Sequence, residues 1–261
     1  MDVELISNEG SKLTFLLKDS SFAFANSLRR AAIEETPTMA IEDVELRRNS
    51  SGLYDEIIAH RLGLIPLTTD LDSYGLKEDC RCQGAGCAKC QLKFSLKAKG
   101  PATVYASELK SKDPRVKPAY LEMPIVKLLK GQKLELEATA TLGKGREHAK
   151  WAPGLVYYRF KPIVKIGSVK DPQKVINSTP TGVFEMKGNK LIVNEDALLT
   201  KDLAGSAEEA SNGEIQVKED QSQIIFTVES WGQLSCKEII DEAAKQFRTQ
   251  LEEFEKTVQE K

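Results

Sequence analysis

Four of the chain's five cysteines fall within eleven residues, Cys80-Arg-Cys82-Gln-Gly-Ala-Gly-Cys87-Ala-Lys-Cys90, and no other stretch leaves the backbone fewer ways to fold. Thiolates are soft ligands, and the C-x-C-x4-C-x2-C spacing offers a single ion a complete tetrahedron. Gly84 and Gly86 permit the tight reversal that brings the two pairs together, and Arg81 and Lys89 partly offset the charge of four thiolates. With every position filled by protein, such a site is structural and not hydrolytic. One zinc ion is the favoured occupant. A metal-free loop is the second reading and an iron–sulfur cluster the third. Cys236 sits in a helix-capping segment and reads as a small packing residue.

Cysteines this localised do not form a disulfide framework, so a reducing, cytoplasmic setting is expected. The longest apolar run is far too short to span a bilayer, and no basic-then-apolar leader opens the sequence, so neither membrane insertion nor export is expected. At 261 residues, 41% hydrophobic and 29% charged, the chain holds one large or two modest domains, with two preferred. Its 37 Lys and Arg against 39 Asp and Glu give a net charge of −2, which supplies no global attraction to a phosphate backbone.

Residues 3–6 and 13–17 are short β-type runs around Asn8-Glu9-Gly10, the pattern of a hairpin. Asp19-Ser20-Ser21 then offers capping oxygens, and Phe22, Ala25, Leu28 and Ala32 recur at helical spacing until Pro37 stops the helix. A strand is expected over 39–46 and a short helix over 54–62 with Ile57, Ile58 and Leu62 on its apolar side. Gly63 suits the left-handed position just past that helix. Strand patterns at 92–98, 103–106 and 133–142 make the middle of the chain β-rich. A further strand at 156–166 should be bent or ended by Pro162. Patterns weaken over 167–221, where Pro172, Pro180 and the polar stretch 206–214 read as loop, before Ile224, Phe226 and Val228 alternate as a strand.

The last segment is the clearest. Ser235-Cys-Lys-Glu238 is a capping box, and Ile240, Ala244, Phe247, Leu251, Phe254 and Val258 follow at spacings 4, 3, 4, 3, 4, an apolar seam along one helix side. Asp241 with Lys245 and Glu252 with Lys256 are expected i,i+4 pairs. Periodicity alone leaves the seam equally suited to the chain's own core. Its length in a strand-rich chain favours a partner helix.

No catalytic constellation emerges. His60 and His148, the only histidines, follow no nucleophile elbow or H-E-x-x-H pattern, and His60 reads as partly buried and structural. The segment 143–151 lacks the order of a phosphate-binding loop. Arg29-Arg30 reads either as a solvated helix face or as a pair of planar donors for a neighbouring protein.

Taken together, Phe24-Ala-Asn-Ser-Leu-Arg-Arg30, Met39-Ala-Ile41, Asp55-Glu-Ile-Ile-Ala-His-Arg-Leu-Gly-Leu-Ile-Pro-Leu67, Gly145-Arg-Glu-His-Ala-Lys-Trp-Ala-Pro153 and the last helix resemble one family. It comprises the D-type subunit of archaeal DNA-directed RNA polymerase, the eukaryotic third-largest subunit and, more distantly, the bacterial alpha subunit. The resemblance implies an α+β fold: a two-helix dimerisation domain on an antiparallel sheet built from both chain ends (1–46, 155–167 and 222–261), with an inserted β-rich domain (47–154) carrying the four-cysteine loop. Residues 168–221 would be a reduced third domain or flexible insertion. They contain no cysteine, so the iron–sulfur insertion of many relatives is not expected there. The loop at 80–90 is instead similar to the zinc loop of the eukaryotic counterpart, with a gap between pairs one residue longer.

The family further implies a non-catalytic scaffold for a nucleotidyl-transferring complex whose magnesium belongs to another chain. Its partner, subunit L, would meet Phe22, Ala25, Leu28, Ala32, Ile240, Ala244, Phe247, Leu251, Phe254 and Val258. Arg29, Arg30, His60, Arg61, Arg146, His148 and Lys150 match segments facing the large subunits, with small subunits N and P as further neighbours. DNA is met only through the complex. The competing readings are an independent metal-binding or redox protein using the cysteine loop, which offers no open coordination position, and a nucleic-acid-binding module, which would need a basic and aromatic surface.

Overall fold

The computed structural model describes residues 1–179, 182–201 and 205–259. In chain order these form β1 (Asp2–Asn8), β2 (Lys12–Lys18), α1 (Phe22–Arg30), a π-helical turn (Ala31–Glu35), β3 (Pro37–Asn49) and α2 (Asp55–Gly63). Then come β4 (Gln91–Lys99), β5 (Ala102–Tyr105), β6 (Lys110–Ser111), β7 (Pro124–Leu128), β8 (Lys133–Lys144) and β9 (Gly154–Ile166). The remainder is α3 (Pro172–Ser178), β10 (Phe184–Lys187), β11 (Lys190–Val193), α4 (Glu195–Thr200), α5 (Gly205–Ala210), β12 (Ile215–Ser230) and α6 (Cys236–Gln259). The chain divides into two compact units, Met1–Arg29 with Val156–Val228, and Arg30–Leu155 with Glu229–Lys261.

The first unit is built on a sheet of order β1-β2-β12-β9. Its two inner strands are buried on both faces: Phe15, Leu16 and Leu17 on β2, and Ile224, Ile225 and Phe226 on β12. The alternation expected at 224–228 is therefore only half the pattern, because a central strand covers both sides. Phe15 stacks on Phe226 with ring centroids 5.1 Å apart. Pro162 does not end β9, which runs through it to Ile166. β9 closes the sheet order, and an outer strand tolerates a missing N–H on its free side. Residues expected to be loop carry structure: Asp171 caps α3 and Asn194 caps α4, each accepting an N–H at 3.1 Å. Val175, Phe184, Leu198, Ala207 and Ile215 join in a small apolar core, and α5 occupies part of the supposed loop 206–214. Pro180 lies outside the described residues.

The second unit holds a sheet of order β3-β8-β4-β6 and a smaller pair, β5-β7. Alternation along β8 turns Leu134, Leu136, Ala138 and Ala140 into the core with Phe94, Leu96, Met39 and Ile41. Ala138 pairs directly with Phe94, so a small side chain sits opposite a large one. The other face is charged, with Lys97–Glu135 at 2.6 Å and Arg47–Glu137 at 2.7 Å. α2 buries Ile58 and Leu62, but Ile57, a third of a turn away, is exposed. Gly63 is not left-handed. It is the last helical residue, and the chain continues right-handed at Leu64 (φ −90°), whose N–H bonds to His60 O at 3.3 Å.

Candidate metal centre and interaction surfaces

The cysteine loop closes on itself as its spacing requires. All four Sγ atoms lie within 4.8 Å of one another. Cys80–Cys87 are 3.5 Å apart, Cys82–Cys90 3.6 Å and Cys87–Cys90 3.9 Å. Thiolates bound at about 2.3 Å to one tetrahedral ion stand about 3.8 Å apart, so the quartet has single-ion dimensions. A cubane of four irons needs its thiolates spread considerably wider. Two reversals build the site. Gln83 N–H bonds to Cys80 O at 2.9 Å and Cys90 N–H to Cys87 O at 3.1 Å. Gln83, Gly84 and Gly86 take φ of 51°, 80° and 87°, so the two glycines are where the left-handed backbone requires them. The N–H of Cys87 points at Cys90 Sγ (3.2 Å) and that of Lys89 at Cys87 Sγ (3.4 Å), stabilising thiolate charge.

Proton affinities within the quartet diverge. Hydrogen bonding from Cys80 draws the Cys82 thiol down to about 6, and burial pushes Cys90 up to about 12. A bound cation would resolve that conflict by taking all four as thiolates. The loop is braced from outside. Gly75 N–H bonds to Lys89 O at 2.9 Å, and neighbouring Tyr74 donates its hydroxyl to Asp113 at 3.0 Å. Arg115 clamps the same carboxylate at 3.2 and 3.0 Å and reaches Asp70 at 2.6 Å.

α6 starts at the expected capping box. Ser235 N–H donates to Glu238 Oε2 at 2.7 Å and Glu238 N–H to Ser235 Oγ at 3.3 Å. Its buried side consists of Cys236, Ile239 and Ala243. That stripe is rotated by one residue from the expected seam and covers only two turns, too few for periodicity to single it out. Continued along the helix it becomes Gln246, Gln250 and Glu253, which are polar. The seam itself stays apolar and emerges into solvent: Leu251 is 52% exposed, Phe254 67% and Val258 57%. Ala244 is exposed, and Ile240 and Phe247 are half-buried. The flanking ion pairs are Lys245–Glu242 at 3.1 Å and Arg248–Glu252 at 3.6 Å, in place of the expected partners. On α1, Phe22 is exposed, while Ala25 and Leu28, and Ala32 just beyond it, are buried.

The cationic residues singled out by sequence are mostly engaged. Arg29 donates twice to Asn26 Oδ1 (3.1 and 3.0 Å), and Arg30 forks onto Glu34 (3.3 and 3.1 Å). His60 is exposed, not partly buried, because α2 turns Ile58 and Leu62 inward. Arg61 donates to Ile125 O at 2.5 Å. Arg146 and Lys144 share Glu35 of the π-helical turn at 3.4 and 3.1 Å. His148 Nδ1 accepts the Lys150 N–H at 3.0 Å. Lys150 points inward, to Ile41 O at 3.1 Å and to the Glu42 carboxylate, with its ammonium 4.3 Å from the Trp151 ring centre. Trp151 lies over Gly143, where any Cβ would stand 2.4 Å from the indole. That glycine makes room for a ring.

Among the described residues no helix is long and apolar enough to cross a membrane. The model of a family described as the RNA polymerase Rpb3/RpoA insert domain matches residues 40–154. Across nearly its whole length the chain is similar to proteins named DNA-directed RNA polymerase subunit Rpo3. That of Archaeoglobus fulgidus is 37% identical over 261 residues, 99% of this chain and 98% of the relative. That of Methanosarcina mazei is 38% identical over 257 residues, 97% of each. That of Pyrococcus furiosus is 38% identical over 259 residues, 97% of this chain and 95% of the relative.

Proposed function

The chain belongs to the Rpo3 family of DNA-directed RNA polymerase subunits, and from that premise we propose that it is the assembly scaffold of a polymerase, pairing with subunit L to form the platform on which the large catalytic subunits gather. One observation carries this reading: the apolar seam of α6 continues into solvent at Leu251, Phe254 and Val258 after the inward stripe has turned polar. Exposed aliphatic and aromatic side chains repeating at helical spacing are costly in water unless a second helix covers them. Phe22 on α1 is a second exposed apolar anchor. Ala25, Leu28 and Ala32 belong to the same proposed partner surface as its buried support. A pairing of this kind needs roughly 1,000 Å² or more of buried surface to template further assembly.

The cysteine quartet holds one zinc ion in this reading, bound by Cys80, Cys82, Cys87 and Cys90 as a closed structural site. The ion would tie 80–90 into a fixed shape and offer substrate no free position. Nucleotidyl transfer is left to the large subunits. Arg29, Arg30, His60, Arg61, Arg146, His148 and Lys150 face or support the surface toward the large subunits, with N and P adjoining, in the cytoplasm. A stand-alone redox role is disfavoured by a donor set that already fills a tetrahedron. The test is co-expression with subunit L and size-exclusion chromatography. The wild-type chain should co-elute with L and with one zinc, and Leu251→Glu should elute alone. A solitary wild-type monomer in the presence of L would overturn the reading.

A further inference from the structure

In the cysteine quartet Cys80, Cys82 and Cys87 are half-buried, and only Cys90 is fully buried. Cys87 also lines an open cleft of about 630 Å³ with Gly86, Ala88, Gln91, Leu92 and Pro114, so the residue is open to small solutes. The sulfurs pair across the loop. Cys80–Cys87 at 3.5 Å and Cys82–Cys90 at 3.6 Å each join the first reversal to the second, and together they use every sulfur once. Within the second reversal Cys87–Cys90 is wider, at 3.9 Å. Cys80 and Cys82, in the first, are separated by one residue, and a bond between them would close a small, strained ring. Gly84 and Gly86 lie in the connection between the reversals, at φ of 80° and 87°, and give it the freedom to follow the sulfurs as they close.

We infer that the quartet is also a site of reversible oxidation, at which hydrogen peroxide converts the four cysteines to two disulfides, Cys80–Cys87 and Cys82–Cys90, with release of the ion. The inference rests on the metal reading above. Each bond consumes one peroxide. One sulfur of the pair, as thiolate, attacks a peroxide oxygen; the O–O bond breaks, a proton from solvent carries the other oxygen away as water, and a sulfenic acid remains. The second sulfur attacks the first and displaces its oxygen, which leaves with a further proton as water while the S–S bond forms. Two electrons pass from the sulfur pair to the peroxide. Over both pairs, four thiolates, two peroxides and four protons become two disulfides and four waters, and the cation, stripped of its ligands, is set free. Cys87, on the cleft, suits the attacking part with Cys80 as its resolving partner. Buried Cys90 suits the resolving part for Cys82.

The geometry favours repair over damage. A sulfenic acid with no thiol at hand goes on to the irreversible sulfinic acid, and here each has a partner sulfur within 3.6 Å. Both bonds cross between the reversals, so covalent ties take over the joining that the ion performs. The second reversal stays anchored by Gly75 N–H on Lys89 O, at 2.9 Å, and by β4, which starts at Gln91. In a reducing compartment such bonds are transient, which suits a sensor.

The test treats the zinc-loaded full chain with hydrogen peroxide beside a chromogenic zinc chelator and maps the disulfides by mass spectrometry without reductant. Tryptic cleavage after Arg81 and Lys89, with fragmentation of the middle peptide between Cys82 and Cys87, tells the pairings apart. The expected result is that zinc leaves with about two peroxides consumed per ion. Four of the five thiols are lost, buried Cys236 stays reduced, and the cross-links are Cys80–Cys87 and Cys82–Cys90. Dithiothreitol followed by zinc should restore both thiols and metal. Bonds confined to Cys80–Cys82 and Cys87–Cys90, cross-links between chains, or sulfinic acid in place of disulfides would overturn the inference. A zinc-loaded chain that keeps its ion and its thiols under excess peroxide would overturn it too and leave the metal reading standing. A chain isolated without metal that still forms both bonds would overturn the metal reading and leave the pairing standing.

Discussion

The cysteine loop and the outer half of α6 both stand at the surface, and they suit different ligands. In the loop, four sulfur atoms converge to within 4.8 Å of one another, the dimensions of a site for one small ion. Along the helix, Leu251, Phe254 and Val258 are strung out over eight residues, and only another extended apolar surface can cover them. Convergence marks a site for an ion, and periodic exposure marks a surface for a polypeptide. The two demand different experiments.

The sharpest separation should come from the metal. Replacing Cys82 and Cys87 by serine should abolish zinc in elemental analysis and lower the melting temperature markedly, since structural zinc sites bind with apparent free energies of about 10 kcal/mol or more. An unchanged melting temperature would mean that the loop is finished without an ion. The helix predicts a division between its two stripes. Ala243→Glu buries a charge and should destabilise the isolated chain by about 3 kcal/mol or more in urea unfolding. Phe254→Glu should cost less than about 0.5 kcal/mol there yet prevent co-elution with subunit L. Equal effects of the two would erase the distinction between inward and outward sides.

A smaller loss, about 1 kcal/mol, is expected for Ser235→Ala, which removes the cap of α6. It should appear in unfolding and leave pairing detectable. The mildest effect concerns the brace beside the metal loop. Hydrogen bonds from Arg115 hold Asp113 down to about 2, below its ordinary 3.8. Tyr74, which donates to it, is pushed up to about 12, mainly by burial. A carboxylate depressed on folding stabilises above its unfolded value and loses that contribution as pH falls through the folded one. Asp113→Asn should therefore be less stable than wild type at neutral pH, with the gap closing toward pH 2. A gap independent of pH would show that packing, not charge, is what Asp113 provides.

What could be read from the sequence follows from how local each cause is. The capping box at Ser235 and Glu238, the hairpin of β1 and β2 and the cysteine quartet depend on neighbours a few residues away, and each is in place. The other features are set by distant contacts. Gly143 is required by Trp151, which no short-range pattern announces. Ile225 and Thr227 are buried because β12 lies inside its sheet, a fact of topology that alternation cannot reveal. Most of the core around Val175 and Phe184 comes from α3, β10, α4 and α5, elements of four to seven residues that are too short for periodicity to register.

Pro162 has a bearing on stoichiometry. A row of open amides along an outer strand invites one sheet to accrete onto the next, and copies so joined have no natural stopping point. β9 is such an outer strand, and Pro162 on it has no amide hydrogen to give. Association along that flank is thereby discouraged, which steers the molecule away from open-ended filaments and toward a complex of finite, countable parts.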